Sequence, residues 1–450
     1  MQGDGCEMNR LTEDPSAIVP QTATQAEEVR FRWKWTESSV WTDRMLTALE
    51  AGVKGGVWFS LMDKVYAPRN LRAAFARAKA NQGAAGVDHQ TIEMFDARLA
   101  ENIQRLEEGL RNGTYRPQEV LRTYIPKPGS RERRPLGIPT VRDRVAQGAL
   151  RNVLEPIFER DFAEHSYGFR PGRGCKDALR RVDDLLKAGY TYVVDADLKS
   201  YFDTIPHQRL MELISRKVSD GKILALIRQF LQQGVLEGLS TWTPEEGTPQ
   251  GAVISPLLSN IYLDPLDHLM AQEGFAMVRY ADDFVVLCRS AEEAQRALDL
   301  IRRWTSEAGL VLHPEKTRIV NSLETGFDFL GYHFVKHRRF VRKKSLAKFK
   351  TAIRAKTHRN NGHSLDVIIK NVNATLRGWF EYFKHSYPTT FRDLDGWVRG
   401  RLRSILRKRQ HRRGRACGAD HHRWPNAYFA EQGLYCLVTA HVLACQSSRR

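Results

Sequence analysis

The spacing of hydrophobic residues predicts β-strands in the middle of the chain and helices toward its end. The run Tyr192-Val193-Val194 is a short apolar strand that leads into acidic residues. Two further apolar runs, residues 275–279 and 284–288, flank Tyr280-Ala-Asp-Asp283. This arrangement predicts a β-hairpin with acids at its tip, because Asp tolerates turn conformations. Beyond residue 336 the apolar residues recur every three or four positions, as in helices.

Capping residues predict where several helices begin and end. Ser290 and Glu293 form a capping-box pattern, and Gly309 suits the end of the helix that they begin. Ser364 suits the N-cap of a helix whose apolar positions run from 365 to 383. A second helix follows over residues 391–409, with its other face loaded with Arg and Lys, so this part predicts a separate, basic helical domain.

The first third of the chain carries weaker patterns. Residues 1–40 are polar and lack periodicity, which predicts that they lie outside the core. Residues 41–79, rich in Leu and Ala, predict a helical stretch, and residues 81–88 a turn-rich passage. Residues 116–144 are dense in Pro, Gly and Arg, which favours extended strands joined by tight loops. The order strand, helix, hairpin, helix, strand in the middle predicts an α+β fold with a partly antiparallel sheet.

Composition indicates a nucleic-acid partner. The 450 residues include 70 Lys and Arg against 52 Asp and Glu, a formal charge of +18. A charge of that size favours a polyanion, either nucleic acid or an anionic membrane surface. No apolar run approaches the ~20 residues that a membrane span needs, so we expect no membrane partner. Six cysteines without a C-x-x-C pair indicate a reducing compartment, and we expect a cytoplasmic protein.

Three acids suggest the chemistry. Asp197 ends the predicted strand, and Asp282 and Asp283 lie at the predicted hairpin. If the strands are neighbours in one sheet, the three carboxylates converge. Two Mg²⁺ ions roughly 4 Å apart stabilise both ends of a phosphoryl transfer, and this hard ion prefers carboxylate ligands. Acids at strand ends and turns are, however, usually only solvated, so the neighbouring sequence must decide.

Six ordered motifs resemble those of reverse transcriptases encoded by bacterial group II introns. They fall within residues 80–400 and are Arg134-Pro-Leu-Gly-Ile-Pro139, Ser166-Tyr-Gly-Phe-Arg-Pro-Gly-Arg173, Asp197-Leu-Lys-Ser-Tyr-Phe202-Asp203, Gly247-Thr-Pro-Gln250-Gly-Ala-Val-Ile-Ser-Pro-Leu-Leu-Ser-Asn260, Tyr280-Ala-Asp-Asp283 and Phe329-Leu-Gly-Tyr332. The resemblance implies an α+β right-hand polymerase. Its expected domains are an N-terminal extension (1–60), fingers (61–190), a palm (191–335, with finger elements at 205–245), a helical thumb or maturase domain (336–410) and a short basic DNA-binding region (411–450).

The resemblance also implies roles for the acids and for a lysine. Asp197 and Asp282 match the family's principal ligands for two Mg²⁺ ions, and Asp283 matches its accessory acid. Asp195 lies on the same face of the strand, two residues before Asp197. Lys316 stands where polymerases often carry a lysine that protonates the leaving pyrophosphate, although an isolated lysine is as often inert.

The incoming nucleotide is expected to meet four further residues. Lys127 and Arg134 resemble the pair that grips the triphosphate, and the additional arginines at 131 and 133 leave open which arginine reaches the phosphates. Phe202 matches the aromatic that rejects ribonucleotides, and its alternative is a plain core residue. Gln250, in a glycine-flanked loop, would touch the nascent base pair.

The region after residue 364 resembles the maturase domain. Its expected phosphate contacts are Arg377, Arg399, Arg401, Arg403 and Arg407. The family then implies binding of group II intron RNA, help with its splicing, and copying of an RNA template from a DNA primer with dNTPs. It also implies insertion into target DNA without a His-Asn-His nuclease, in a bacterial cell near the nucleoid. The alternatives are an intron-independent defence or repair reverse transcriptase and a non-enzymatic splicing cofactor.

Overall fold

The computed structural model describes residues 23–126, 133–238, 240–412, 414 and 417–447. The α-helices in these ranges are α1 (Ala23–Arg32), α2 (Asp43–Ala51), α3 (Met62–Tyr66), α4 (Pro68–Asn81), α5 (Ile92–Ala97), α6 (Leu99–Asn112), α7 (Val141–Glu159), α8 (Cys175–Lys187), α9 (His207–Ser215), α10 (Gly221–Leu231), α11 (Ser255–Gln272), α12 (Ala291–Glu307), α13 (Lys343–Lys356), α14 (Leu365–Phe383), α15 (Thr389–Arg409), α16 (Gly418–Arg423), α17 (Asn426–Glu431) and α18 (Leu437–Ser447).

The β-strands in the same ranges are β1 (Val120–Pro126), β2 (Arg133–Ile138), β3 (Tyr192–Asp197), β4 (Val235–Glu237), β5 (Ser240–Trp242), β6 (Ala276–Tyr280), β7 (Asp283–Cys288), β8 (Arg318–Asn321), β9 (Phe327–Phe329), β10 (Tyr332–Val335) and β11 (Arg338–Val341). They form sheets in the orders β2-β1-β4-β5, β6-β7-β3-β8 and β11-β10-β9. This mixture of helices with largely antiparallel sheets confirms the predicted α+β class.

The chain divides into two compact units. The first contains the described residues up to Thr123 together with Pro135–Ala163 and Phe202–Asp264. The second contains Tyr124–Arg134, Glu164–Tyr201 and the chain from Pro265 onward. The limits of fingers, palm and thumb given above remain predictions, because compactness alone does not define polymerase domains.

The first unit is built around α7, most of whose side chains are buried. A helix buried on most faces needs hydrogen-bond partners for its polar side chains. Asp143 accepts a hydrogen bond from the Tyr115 hydroxyl at 2.6 Å and another from the Gln118 backbone nitrogen at 3.0 Å. Asn152 likewise donates to the side chain of Asn70 at 2.8 Å. The polar residues of α7 therefore tie it to its neighbours.

The second unit has the sheet β6-β7-β3-β8 at its centre, with every pair of neighbours antiparallel. Val193, Val285 and Leu287 of this sheet share one hydrophobic core with α8 and with the sheet β11-β10-β9. Helix α12 packs against β3 and β7 as well. Its first turn confirms half of the predicted capping box, because the Ser290 hydroxyl accepts from the Glu293 nitrogen at 3.2 Å. The Glu293 carboxylate accepts from the Arg289 nitrogen at 2.7 Å instead of from Ser290.

The later part of the second unit is helical. Helices α13, α14 and α15 share a second core, to which Trp424, Phe429 and Leu437 contribute. The predicted helix after Ser364 is confirmed as α14, and the Ser364 side chain accepts from the backbone nitrogen of Val367. Across the ranges described above, every helix is too short or too polar to cross a bilayer.

Two predictions for the first third of the chain are wrong. Residues 23–40 were expected outside the core, yet they contain α1, and Trp33, Val40 and the adjoining Trp41 are buried. The Trp41 indole donates to the backbone carbonyl of Asn152 at 2.9 Å, a partner 111 positions away that no local pattern reveals. Residues 1–22 lie outside the described residues.

The helical stretch expected over residues 41–79 is instead broken into α2, α3 and α4. Gly52 and Gly55 adopt positive φ angles of 89° and 76°, which end α2 and separate it from α3. Pro68 begins α4 at a position where its missing N–H costs nothing. Strands do form as expected at Val120–Pro126 and Arg133–Ile138, but α7 already begins at Val141.

Candidate catalytic site

The end of β3 and the start of β7 bring two of the predicted acids together. Asp197 pairs directly with Asp283 across the antiparallel strands. Opposed residues in such a pair have Cα atoms roughly 4.5–5.5 Å apart and project to the same face. Asp195 projects to this face too, because side chains two positions apart in a strand share a side. The acids expected from distant parts of the sequence therefore meet at one edge of the sheet.

The predicted hairpin between β6 and β7 is confirmed, but its turn differs from the expectation. Tyr280 pairs with Asp283, which leaves Ala281 and Asp282 as the connecting residues. The left-handed conformation falls on Ala281, with φ of 59°, and not on an aspartate. Alanine in this region is strained, and strain of this kind persists only where the surroundings enforce it.

The acids strongly perturb one another. Burial, followed by repulsion from Asp282, Asp195 and Asp197, raises the pKa of Asp283 to about 7. Burial and the charge of Asp197 also raise the pKa of Asp282. Burial raises the pKa of Asp195, against the lowering effect of Arg318. Crowded carboxylates that resist ionisation favour a cation, and hard oxygen donors fit Mg²⁺.

Lys316 lies directly beside the acids. Its Nζ atom donates to Asp197 Oδ2 at 2.6 Å, and the backbone nitrogen of His313 donates to the Asp197 carbonyl at 2.7 Å. Within the described residues, no three carboxylate, imidazole or thiol groups already surround one point closely enough to hold an ion. Ligation by all three acids would therefore require their side chains to rearrange, and the Asp197 carboxylate would share its oxygens between Lys316 and the ions.

Of the predicted triphosphate contacts, Arg134 is the one that the structure describes. It is exposed on β2, and its charge lowers the pKa of Asp282, so its guanidinium acts on the acidic site. Arg133 precedes it on the same strand and projects to the opposite side. Lys127 and the arginine at 131 lie outside the described residues.

Phe202 and Gln250 are brought together in the first unit, whereas the acids belong to the second. The Phe202 carbonyl accepts from the Thr248 nitrogen at 2.6 Å. The Gln250 side chain donates to Asp203 Oδ2 at 3.4 Å, and its carbonyl accepts from the Gly137 nitrogen at 2.6 Å. Phe202 is half-buried, so its roles as core residue and as sugar contact are both compatible with its position.

The expected basic face of α15 is only partly present. Arg403 is buried and donates to the Trp424 carbonyl at 2.9 Å, which leaves little of its surface for the predicted phosphate contact. Arg401 donates to Thr357 Oγ1 at 2.6 Å, and Arg407 to Asp420 at 2.8 Å. Helices α16 and α17 cover the side of α15 that carries Arg403 and Arg407. The helical period alone does not reveal this cover.

The two remaining arginines keep more of their surface. Arg377 on α14 is exposed, and its guanidinium carbon lies 4.9 Å from the ring centre of Tyr435. Arg399 is half-buried on α15. Their predicted contacts with RNA phosphates remain predictions.

Sequence reasoning missed a buried ion pair behind the hairpin. Arg279 is fully buried and is bonded to Asp267, a residue of α11. The available signal was a single arginine in the otherwise apolar run that precedes the hairpin. A charge in a buried strand requires a partner, and such a requirement marks a residue for closer attention.

Two known protein families match consecutive parts of the chain. Residues 125–334 match the family "Reverse transcriptase (RNA-dependent DNA polymerase)", and residues 346–424 match "Group II intron, maturase-specific domain". Protein YkfC of Escherichia coli is 35% identical over 292 residues, which cover 56% of this chain and 76% of YkfC. The chain belongs to the group II intron-encoded reverse transcriptase/maturase family.

Other relatives within this family are larger. The group II intron-encoded protein LtrA of Lactococcus lactis is 41% identical over 201 residues, 44% of this chain but 33% of LtrA. A solved chain of a partial Cas6-RT-Cas1–Cas2 complex covers 55% of this chain and 41% of its own length at 26% identity, with a TM-score of 0.36. Membership therefore rests on the sequence matches, and it makes the α+β fold that of a right-hand polymerase.

Proposed function

We propose that the chain is an RNA-directed DNA polymerase with a two-metal mechanism and a maturase that binds group II intron RNA. The observation that carries the proposal is the pairing of Asp197 with Asp283, which sets the acids of a reverse transcriptase family member on one face beside Lys316. The maturase-specific match over residues 346–424 supports the second activity.

The acids would hold the metal ions through carboxylate oxygens. Two Mg²⁺ ions, when bound, supply positive charge to the attacking and leaving oxygens of phosphoryl transfer. Burial and then repulsion from neighbouring carboxylates raise the pKa values of Asp282 and Asp283, so a cation beside them would favour their ionised forms. Lys316 Nζ, which lies against Asp197, would donate a proton to the departing pyrophosphate.

The family motifs support roles in nucleotide binding for four further residues. Arg134 offers a planar fork for the triphosphate, with Lys127 as a second cation. Phe202 would exclude a ribose 2′-hydroxyl by occupying its place. Gln250 would contact the nascent base pair. The loop that carries it is held by a hydrogen bond from the Gly137 nitrogen to the Gln250 carbonyl.

RNA would be bound by cations that remain exposed on the helical part of the second unit. Arg377 and Arg399 are two of the predicted contacts. Helix α13 adds four exposed cations, namely Lys343, Lys344, Lys348 and Arg354. Phosphate contacts of this kind make affinity strongly salt-dependent and favour intron RNA, template–primer duplex and target DNA alike as partners.

Primer extension tests the polymerase. Purified protein should extend a DNA primer on an RNA template with dNTPs and Mg²⁺, and the variant Asp282→Ala should not. Asp299→Ala removes an exposed carboxylate of α12 and should extend like the wild type. Absence of extension by the wild type, or full extension by Asp282→Ala, would refute the assignment.

Splicing tests the maturase separately. The Asp282→Ala variant should still accelerate splicing of its bound intron RNA, because the helical part does not depend on the acids. An intron-independent defence or repair enzyme would explain the acids but not the maturase-specific match, and it would copurify without intron RNA. A non-enzymatic splicing cofactor would assist splicing with no primer extension.

A further inference from the structure

Two groups of residues contact the turn that carries Asp282. One is the buried pair of Arg279 and Asp267, and the other is Gly168. Arg279 belongs to the strand that enters the turn, Asp267 to α11, and Gly168 to a segment that runs alongside β6. None of these residues is among the predicted site residues.

Arg279 links the helix to the turn. Its Nε atom donates to both carboxylate oxygens of Asp267, at 2.8 and 2.9 Å. Its Nη1 atom donates to the carbonyl oxygen of Ala281 at 3.0 Å. That carbonyl belongs to the peptide group between Ala281 and Asp282. Holding its oxygen fixes the peptide plane that precedes Asp282, and with it the direction of the Asp282 side chain.

The geometry indicates more than a stabilising ion pair. Buried ion pairs are often replaceable by apolar residues of similar volume without loss of stability, so burial alone does not explain this one. The hydrogen bond to Ala281 falls on the residue of the hairpin that has a strained, left-handed conformation, with φ of 59°. Such strain persists where the surrounding structure enforces it.

Gly168 contacts the same turn from a neighbouring segment. The backbone of its segment pairs with β6, since Tyr167 N donates to the Arg279 carbonyl at 2.9 Å and Arg279 N to the His165 carbonyl at 3.1 Å. A methyl group placed on Gly168 would lie 2.2 Å from the Ala281 nitrogen and 2.8 Å from the Tyr280 carbonyl carbon. Only glycine fits there without moving the turn.

We propose that Arg279, Asp267 and Gly168 are positioning residues that hold the Ala281–Asp282 peptide in the orientation needed for Asp282 to bind a divalent ion. They would act through the turn and would not touch substrate. The inference rests on the proposed function, because it concerns the ions that the acids would hold.

Binding of Mn²⁺ to the full-length protein, followed by electron paramagnetic resonance, tests the inference without relying on activity. Arg279→Lys keeps a positive charge for Asp267 but loses the planar fork that reaches two partners. The double variant Arg279→Met/Asp267→Leu removes both buried charges together, which favours retention of the fold. Loss of a residue that orients a metal ligand typically costs about 10–100-fold in metal affinity, and we expect that loss in both variants.

Gly168→Ala tests the close contact between Gly168 and the turn without any change of charge. We expect a similar loss of Mn²⁺ affinity, because the added methyl group must displace the turn. Gly174→Ala is its matched control, since the nearest atom to the added group there would be 3.9 Å away. Asp395→Asn controls for general destabilisation, because it alters a buried carboxylate that bonds the start of α18 instead of the hairpin.

Positioning and structural roles give different kinetics. The three hairpin variants should lower kcat for primer extension and leave the KM for template–primer unchanged, at temperatures where circular dichroism shows them folded. Mn²⁺ affinity equal to wild type in folded Arg279→Lys and Gly168→Ala would overturn this inference alone. Failure of the wild type to bind Mn²⁺ would overturn the proposed function together with it. If the double variant does not fold, these two single variants decide.

Discussion

The hairpin end of the sheet β6-β7-β3-β8 and helix α15 both concentrate charge, but the charges have different surroundings. At the hairpin, carboxylates crowd one another until burial and repulsion raise the pKa of Asp283 to about 7. On α15, Arg401, Arg403 and Arg407 each bond a protein group. A dense run of charge in the sequence therefore does not by itself mark a binding surface. Like charges crowded closely enough to raise a pKa are the more telling sign of a functional site.

Asp197→Asn should have the largest effect on activity. If this carboxylate holds the metal ions, its loss removes several kcal/mol of transition-state stabilisation, and primer extension should fall about 10³-fold or more. The variant should melt close to the wild type in the absence of metal, because an asparagine amide oxygen can still accept the hydrogen bond from Lys316. Steady-state extension and thermal melting measure both. An active Asp197→Asn variant would show that the crowded acids at the hairpin do not mark the catalytic site.

The second prediction concerns the pH dependence of stability without metal. The pKa of Asp283 is about 7 in the folded protein and near 3.9 in an unfolded chain. The folded state therefore binds one more proton than the unfolded chain over this range. With a chelator present to remove metal ions, the free energy of unfolding should fall as the pH rises from about 4 to about 7. Each unit of pKa difference corresponds to about 1.4 kcal/mol, so the total is at most about 4 kcal/mol.

Asp283→Asn is the comparison for that pH dependence. It should flatten the curve over the same range and melt above the wild type at pH 8. Denaturant unfolding at several pH values measures this. A wild-type curve that rises between pH 4 and 7, with no change in the variant, would show that Asp283 does not carry the buried, repelled charge.

Arg403→Met sharpens the other side of the comparison. Its removal leaves the buried carbonyl of Trp424 without a donor, and an unsatisfied buried group costs about 1–3 kcal/mol. Arg392→Met, at an exposed position of the same helix, should change stability by no more than about 0.5 kcal/mol. Equal stability of the two variants in denaturant unfolding would mean that the buried contacts of Arg403 are not stabilising.

Arg377→Ala should have the smallest effect, and it should appear in RNA binding instead of stability. Loss of one phosphate contact reduces the slope of log affinity against log salt concentration by about 1. Arg403→Met, assayed below its melting temperature, should keep the wild-type slope. Filter binding of intron RNA across a salt series separates the two. A slope changed by Arg403→Met but not by Arg377→Ala would reverse the assignment of exposed and buried arginines.

Local patterns predicted what local interactions determine. The caps at Ser290 and Ser364 and the hairpin around Tyr280–Asp283 all depend on residues a few positions apart. The motifs identified the acids, but the pairing of β3 with β7 was only a condition for their convergence, and the structure supplies it. The acids could therefore be found before the structure was known.

Long-range contacts account for what the sequence did not reveal. The burial of Trp41 depends on Asn152, and that of Arg403 on Trp424 and Asn426, none of which belongs to the same local pattern. The contacts that hold the hairpin turn likewise depend on Asp267 of α11 and on Gly168, more than a hundred residues before the turn. A helical or strand period shows which face is apolar, but not which element covers it.

A structure of the protein with Mn²⁺, an RNA template and a DNA primer, using the anomalous signal to locate the ions, tests the central claim most directly. The account predicts two ions roughly 4 Å apart, with carboxylate ligands from Asp197 and from the hairpin, and with the Asp197 oxygens shared between Lys316 and the ions. Ions bound elsewhere, or an Asp197 carboxylate bonded to Lys316 and to no ion beside a correctly seated primer end, would contradict it.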